Sequence, residues 1–140
     1  MESPRYLIAL AVTCAVAYMT KVLVSTVKAK KFCIKSGLET GGMPSAHTAF
    51  IVSVTIMIGL EQGFLSPLFA LATAITAIVM HDSVKVRYAV GEYGEALNSL
   101  IKERKSNVRQ VKIVKGHKSA EVAAGTLLGM VVALAVFYYI

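Results

Sequence analysis

The chain has 140 residues, of which 56% are hydrophobic and 16% charged, and its mean hydropathy is +0.64. This hydrophobicity excludes an intrinsically disordered chain, and two cysteines are too few for a small disulfide-stabilised protein. The net charge is +7, but the basic residues are clustered and not spread out as in a soluble nucleic-acid-binding protein, so no nucleic-acid partner is expected. The length fits a single membrane-embedded domain covering residues 1–140.

Four long segments are nearly free of charged residues, and we interpret them as membrane-spanning helices. They cover residues 6–27, 46–60, 67–80 and 119–140. A helix needs about 20 apolar residues to cross a bilayer, and the first and last segments reach that length. The middle two are shorter, so their length alone also allows helices buried in a protein core.

The distribution of charge supports four spans. Thirteen of the 15 lysines and arginines lie in two segments, four in 28–45 and nine in 81–118. With four spans both segments lie on the same side, which the positive-inside rule makes cytoplasmic. The hairpin 61–66 on the other side has no basic residue. The sequence therefore predicts an all-α integral membrane bundle with about four transmembrane helices and both termini outside.

Two of these segments allow more than one interpretation. The first also resembles the apolar part of a cleavable signal peptide, but no A-x-A site follows it and Lys21 lies within the apolar run, so we favour a retained helix. In the last segment Gly125 and Gly129 form a G-x-x-x-G step, typical of close helix packing within one chain or between copies. A homo-oligomer is therefore one option.

Residues 83–106 place apolar residues at helical spacing among charged ones. This pattern predicts a cytoplasmic amphipathic helix or helical hairpin on the membrane surface, which Gly91 and Gly94 interrupt. Its basic residues favour anionic lipid headgroups. A solvated loop that only sets the orientation of the protein is the alternative.

A first candidate site lies at the start of the second apolar segment, in residues 41–47 (GGMPSAH). Glycines such as Gly42 permit tight turns, and a proline favours the first turn of a helix. The N-terminus of a helix attracts an anion, Ser45 adds a hydroxyl donor, and His47 can donate a proton near neutral pH. These groups predict a phosphate pocket with a general acid. A capped helix start without a ligand is the alternative.

A second candidate site lies just before the last apolar segment, where His117 and Glu121 are four residues apart. On one face of a helix the carboxylate can hold one imidazole nitrogen and leave the other free to attack. A local contact at the membrane surface is the alternative. In the predicted topology His47 and His117 lie at the cytoplasmic ends of their helices and therefore at the same depth.

Further charged residues lie near the same helix ends. A lysine inside the membrane is costly unless it is paired or functional, although Lys21 can also snorkel to the interface. Arg87 can bind a phosphate by two parallel hydrogen bonds, and Asp82 can orient Arg87 or Lys21; a surface salt bridge is the alternative. The three histidines lack the close spacing of metal ligands, so neither a metal nor a cofactor is expected.

Together these residues resemble the divergent branch of the type 2 phosphatidic acid phosphatase superfamily, which is related to acid phosphatases and vanadium-dependent haloperoxidases. Residues 44–47 (PSAH) match the P-S-G-H motif, and residues 117–121 match the H-x-x-x-D part of the third motif. The GGMPSAH run, residues 82–87 and Gly91-Glu92 also match the divergent branch. The resemblance covers nearly the whole chain.

This resemblance implies a phosphoric monoester hydrolase of lipid metabolism, acting on a lipid or isoprenoid phosphate or diphosphate at the cytoplasmic face of the membrane. His117 would attack phosphorus and form a phosphohistidine, His47 would protonate the leaving oxygen, and Glu121 would hold His117. The other implied site residues bind the phosphoryl oxygens (Ser45, Gly42, Lys21 and Arg87) or support them (Asp82 and Lys115).

Three positions depart from the superfamily pattern. Ala46 replaces a glycine, Glu121 replaces an aspartate, and Val111 stands where an arginine is expected. The residues that would have to replace this arginine are Arg87, Arg109, Lys112 and Lys115. No K-x-x-x-x-x-x-R-P first motif is present. The alternatives are therefore a catalytically weak or inactive relative that binds phosphorylated lipids or anions, and a small membrane scaffold or transport subunit.

Overall fold

A computed structural model describes residues 5–30, 42–113 and 116–140. These ranges form helices joined by turns, with no β-strand among them. The helices are α1 (Arg5–Ala29), α2 (Ala46–Gln62), α3 (Pro67–His81), α4 (Arg87–Glu103) and α5 (Ser119–Tyr139), with a π-helical segment (Asp82–Val86) between α3 and α4. The four apolar segments correspond to α1, α2, α3 and α5, so the predicted all-α membrane bundle is confirmed.

Three helical stretches of the described chain are long and apolar enough to cross a membrane. They are Arg5–Val27, Ser119–Tyr139 and Pro67–Glu103, the last of which continues α3 into α4. With 17 residues α2 is shorter, at the lower end of what spans a bilayer. Large apolar side chains are exposed on the outer faces of the bundle, as expected for contact with lipid. Examples are Leu7, Leu23, Val27, Ile78, Leu127 and Val131.

Helix α2 lies at the centre of the bundle and packs against α1, α3 and α5. Hydroxyl groups link it to its neighbours: Thr13 donates to Ser53 over 2.9 Å, and the hydroxyls of Thr55 and Thr76 lie 2.8 Å apart. In a bilayer, lipid is as apolar as the helices, so helix association relies on close packing and on such hydrogen bonds. This explains why small and hydroxyl residues fill the buried faces of α2.

The G-x-x-x-G step of α5 packs within the chain. A Cβ at Gly125 would collide with the carbonyl oxygen of Ser45, and one at Gly129 with that of Ala49. Both glycines therefore let α5 approach the backbone of α2 directly. This intrachain contact accounts for the motif without a second copy.

Towards one end of the bundle the buried side chains form an apolar cluster. This apolar end consists of a buried cluster of side chains from α1, α2 and α5: Ala9, Met57, Val132, Ala133 and Val136. Along α1 the buried positions recur every four residues and end at a lysine: Ala9, Thr13, Ala17 and Lys21. Because α1 contributes buried residues to the bundle along this length, the structure favours a retained helix over a signal peptide.

The predicted interruption of the amphipathic segment by two glycines is wrong, because α4 continues through Gly91 and Gly94 without a break. Gly91 is buried, and the missing side chain of Gly94 makes room for Ile113, which would lie 3.4 Å from a Cβ at that position. Asn98 holds the same returning segment by exchanging two hydrogen bonds of 2.9 Å with the backbone of Val111. Gly94 therefore serves the packing of this segment against α4, and the helical-hairpin alternative is also wrong, because α4 is one continuous helix.

Candidate functional site

The turn before α2 brings Ser45 into the interior. Gly42 has a φ of +87°, a left-handed conformation that glycine adopts without steric cost, and a cis peptide bond joins Met43 to Pro44. Ser45 is the N-cap of α2 and is 0% exposed. Pro44 was expected in the first helical turn, but it lies outside the helix, because α2 begins only after Ser45.

Backbone contacts join this turn to the segment around His117. The N–H of Ser45 donates to the carbonyl of Glu121 over 3.0 Å, and the N–H of His117 donates to the carbonyl of Ser83 over 3.1 Å. Gly116 lies directly against the backbone of Arg87 and Tyr88, which leaves no room for a Cβ. The two histidine motifs and the π-helical segment, far apart in sequence, therefore meet in one place.

His117 is the least satisfied group in this region. It is 5% exposed, and neither of its ring nitrogens has a hydrogen-bond partner among the described residues. Leaving a buried polar group unpaired costs about 1–3 kcal/mol, so such a group calls for a ligand or a chemical role.

Burial is the main cause that lowers the pKa of the His117 imidazole. The Glu121 carboxylate opposes this shift, whereas the positive charges of Lys21, His47 and Arg87 lower the pKa further. The ring is therefore held in its neutral form, which a nucleophilic nitrogen requires. The same positive charges favour an anion next to the ring.

Two cations reach the site from different helices. Lys21 is 5% exposed, so its side chain lies inside the bundle and does not snorkel to the interface. Its Cε lies 3.8 Å from the position of a Cβ on Gly42. Arg87 donates from Nε to Asp82 over 2.8 Å, so of the two cations considered it is Arg87 that Asp82 orients.

Glu121 does not form the predicted hydrogen bond with His117. Its carboxylate accepts the backbone N–H of Lys118 over 3.3 Å, as part of a cap at the start of α5. The reason is that α5 begins at Ser119, so His117 lies before the helix and the four-residue spacing does not place both side chains on one helical face. Glu121 still acts on His117 electrostatically.

The remaining predicted residues lie close by or outside the described chain. His47 is the second residue of α2 and is exposed, and its charge acts on His117. His81 is exposed at the end of α3. Gly41 and Lys115 lie outside the described residues.

Two residues that the sequence did not single out complete this region. Thr48 is fully buried, and its hydroxyl donates to Ser45 Oγ over 2.9 Å, while its N–H donates to the same oxygen over 3.4 Å. Both acceptor positions of Ser45 Oγ are then filled, and its own proton is left for another acceptor. Ser83 contributes a backbone carbonyl, for which no sequence signal exists, because every residue carries one.

The site end of the bundle is defined by five buried polar residues that the preceding contacts connect. They are Lys21, Ser45, Thr48, Ser83 and His117. Such an arrangement of a neutral imidazole, a hydroxyl donor and cations suits a phosphoryl or similar oxyanion.

Comparison with known proteins identifies the family of the chain. The family model described as "Divergent PAP2 family" matches residues 3–132. The uncharacterized membrane protein YuiD of Bacillus subtilis (strain 168) is 28% identical over 138 residues, which cover 88% of this chain and 87% of the relative. No solved structure matches the chain. The type 2 phosphatidic acid phosphatase resemblance and the membrane location are thus confirmed.

Proposed function

The chain belongs to the divergent PAP2 family, and we propose that it is a membrane phosphatase hydrolysing a lipid or isoprenoid phosphate or diphosphate. The observation that carries this proposal is the buried His117 ring, which has no hydrogen-bond partner among the described residues. The positive charges of Lys21 and Arg87 act on this ring electrostatically. The chemistry is that of a phosphoric monoester hydrolase, as in the acid phosphatases that the motifs resemble.

The reaction has two steps. A neutral nitrogen of His117 attacks phosphorus, and the bond between phosphorus and the lipid oxygen breaks while His47 protonates that oxygen. Water then attacks the phosphohistidine, and His47 takes its proton as phosphate leaves. Lys21, Arg87 and the hydroxyl of Ser45 stabilise the negative charge on the phosphoryl oxygens in both transition states.

Gly42 supports this role, because its left-handed backbone shapes the turn before Ser45. Asp82 keeps the Arg87 guanidinium oriented. Lys115, although outside the described residues, lies two positions from His117 in sequence and adds positive charge. Glu121 acts through its field and through the cap of α5.

The membrane sets the class of substrate. Lipid-facing helices carry the site at one end of the bundle, where a substrate anchored by its tail presents its phosphate at the lipid–water boundary. The excess of lysine and arginine in 28–45 and 81–118 supports a cytoplasmic position for this end, with both termini outside.

A second function, binding of phosphorylated lipids or anions without turnover, is favoured by two observations. Val111 occupies the position of an expected arginine, and its backbone is held by Asn98. The hydrogen bond that would orient His117 through Glu121 is not formed. Both features reduce transition-state stabilisation and leave the anion site in place.

Phosphate release from phosphatidic acid, phosphatidylglycerol phosphate and prenyl diphosphates in detergent tests the proposal. We expect His117→Ala to abolish release and His47→Ala to reduce it by roughly 100-fold or more, the usual contribution of a general acid. His81→Ala is the matched control, since His81 is an exposed histidine at the same end of the bundle. Vanadate, which mimics five-coordinate phosphorus, is expected to inhibit the wild type.

Equal phosphate release by all three variants and the wild type would contradict the proposed catalytic function. A protein that releases no phosphate from any of these substrates, yet binds phosphatidic acid in a His117-dependent manner, would establish the binding function instead.

A further inference from the structure

Helix α4 has an apolar face that no described element covers. Its residues, together with the one directly before the helix, recur at spacings of four and three and are 46–72% exposed: Val86, then Val90, Tyr93, Leu97 and Leu100. These spacings place all five on one side of the helix. A continuous exposed stripe of this kind marks a binding surface.

The other sides of α4 are already assigned. Glu92, Ser99 and Glu103 form an exposed polar side. Between the two, Asn98 and Gly94 hold the returning segment 111–113 through hydrogen bonds and close packing. The helix therefore has a partner within the chain on one side, solvent on the second, and the apolar stripe on the third.

The length of the helical stretch places α4 beside the membrane. The 37 residues of Pro67–Glu103 extend over about 55 Å at 1.5 Å per residue, whereas the hydrocarbon core of a bilayer is only about 30 Å thick. If α3 crosses the membrane, α4 must leave the hydrocarbon at or near the π-helical segment. Its charged residues also require this position.

The charges next to α4 match an anionic surface. Basic residues flank the helix on both ends and continue into the returning segment: Lys85, Arg87, Lys102, Arg104, Lys105, Arg109 and Lys112. They outnumber the acidic residues of the same region, which are Glu92, Glu95 and Glu103. An apolar stripe beside basic residues is the composition of helices that lie in the headgroup region.

We propose that the apolar face of α4 docks onto the lipid–water boundary of the membrane that α3 crosses, with anionic headgroups contacting the flanking basic residues. This goes beyond the phosphatase and does not depend on it. It has a consequence for the site, because Gly116 packs on Arg87 and Tyr88 at the start of α4. A helix seated on the membrane holds the segment before His117 at the depth of the headgroups.

The absence of tryptophan from the chain makes the test specific, because one introduced tryptophan is then the only one. Leu97→Trp places the probe on the apolar stripe, and Ser99→Trp places it on the polar side two residues away. Each full-length protein is reconstituted into nanodiscs of phosphatidylcholine, with or without phosphatidylglycerol, and with lipids brominated near the headgroup end of their chains.

We expect brominated lipid to quench Leu97→Trp strongly and Ser99→Trp weakly, and acrylamide quenching to be several-fold lower for Leu97→Trp. Phosphatidylglycerol should increase the difference, and Lys102→Gln with Lys105→Gln should remove that increase. Tyr93→Trp and Glu103→Trp form a second pair of exposed positions on the same two sides, in case one variant folds poorly.

Equal acrylamide quenching of both positions without quenching by brominated lipid would overturn the proposal. Protection of Leu97→Trp from acrylamide without bromine quenching, seen only when a nanodisc holds two copies, would overturn it in favour of a second chain on this face. Bromine quenching that does not respond to phosphatidylglycerol would overturn the role of anionic headgroups.

Discussion

The apolar end is built from α1, α2 and α5, and the site end combines α1 and α2 with the π-helical segment and the residues just before α5, and the buried side chains of the two ends differ in kind. At the apolar end aliphatic side chains such as Met57 pack without polar partners. At the site end Lys21, Ser45 and His117 are equally buried, and His117 is left unpaired among the described residues. The difference indicates that the apolar end stabilises the bundle, whereas the site end retains an energetically unfavourable arrangement, which we propose serves a ligand.

The largest effect on stability is expected from Met57→Ala at the apolar end. Met57 is 0% exposed, so the substitution leaves a cavity and should lower the free energy of unfolding by about 2–5 kcal/mol. Phosphate release per folded molecule should stay unchanged. Denaturant or thermal unfolding in detergent measures the loss.

Met130→Ala is the matched control for this prediction, because Met130 is 39% exposed on α5. An equal loss of stability in both variants would show that burial at the apolar end does not stabilise the bundle.

A smaller effect, at the junction between α2 and the site, is expected from Gly125→Ala. The added Cβ would press on the Ser45 carbonyl, and overpacking of this kind costs about 1–3 kcal/mol. Because the same contact holds the Ser45 turn, phosphate release or phosphate binding should fall as well. Unfolding in detergent and vanadate affinity measure the two effects.

Gly94→Ala serves as the control, since its Cβ would lie at van der Waals distance from Ile113. There the same change should raise stability by about 0.5–1 kcal/mol, the usual difference between alanine and glycine in a helix. Similar results at Gly125 and Gly94 would mean that the close approach of α5 to α2 is unimportant.

Within the site end, Thr48→Val should remove one hydrogen bond to Ser45 Oγ at nearly constant volume. We expect a loss of about 0.5–1.5 kcal/mol in stability and weaker phosphate or vanadate binding, because the Ser45 hydroxyl is then no longer held as a donor. Thr48→Ser, which keeps the hydroxyl, should retain both stability and anion binding. Unchanged anion binding in Thr48→Val would show that the Ser45 hydroxyl does not contribute to binding the anion.

The smallest expected effect is a dependence of stability on pH. The pKa of His117 lies below its ordinary value of 6.5, so below pH 6.5 the unfolded chain binds a proton that the folded chain rejects. The free energy of unfolding should therefore fall as the pH decreases through this range, and His117→Gln should have a shallower slope. Identical slopes would show that His117 does not titrate abnormally.

The positions of the helices were predictable because each depends on local patterns. Uncharged runs identified α1, α2, α3 and α5 to within two residues at each end, and the helical spacing of apolar residues within 83–106 identified α4. The glycine interruption of α4 was wrong because Gly94 faces Ile113, a contact that no local pattern encodes.

The site was predictable in its composition and only partly in its contacts. Ser45, His47 and His117 stand in recognisable motifs, and their convergence followed from the topology of the spans. Thr48 and the carbonyl of Ser83 were missed, because a buried threonine and a backbone oxygen give no distinctive signal.

The sequence by itself determined that this protein is a helical membrane bundle with two histidine motifs at the same end, because hydrophobic length and charge asymmetry act along the chain. Only the tertiary structure decided the partners of individual groups. Glu121 caps α5 and does not bind His117, Gly125 lets α5 approach the backbone at the start of α2, and Lys21 is buried inside the bundle. The physical reason is that a helix start or a close backbone approach depends on contacts between distant segments. Because α5 begins two residues after His117, the side chains of His117 and Glu121 do not lie on one helical face.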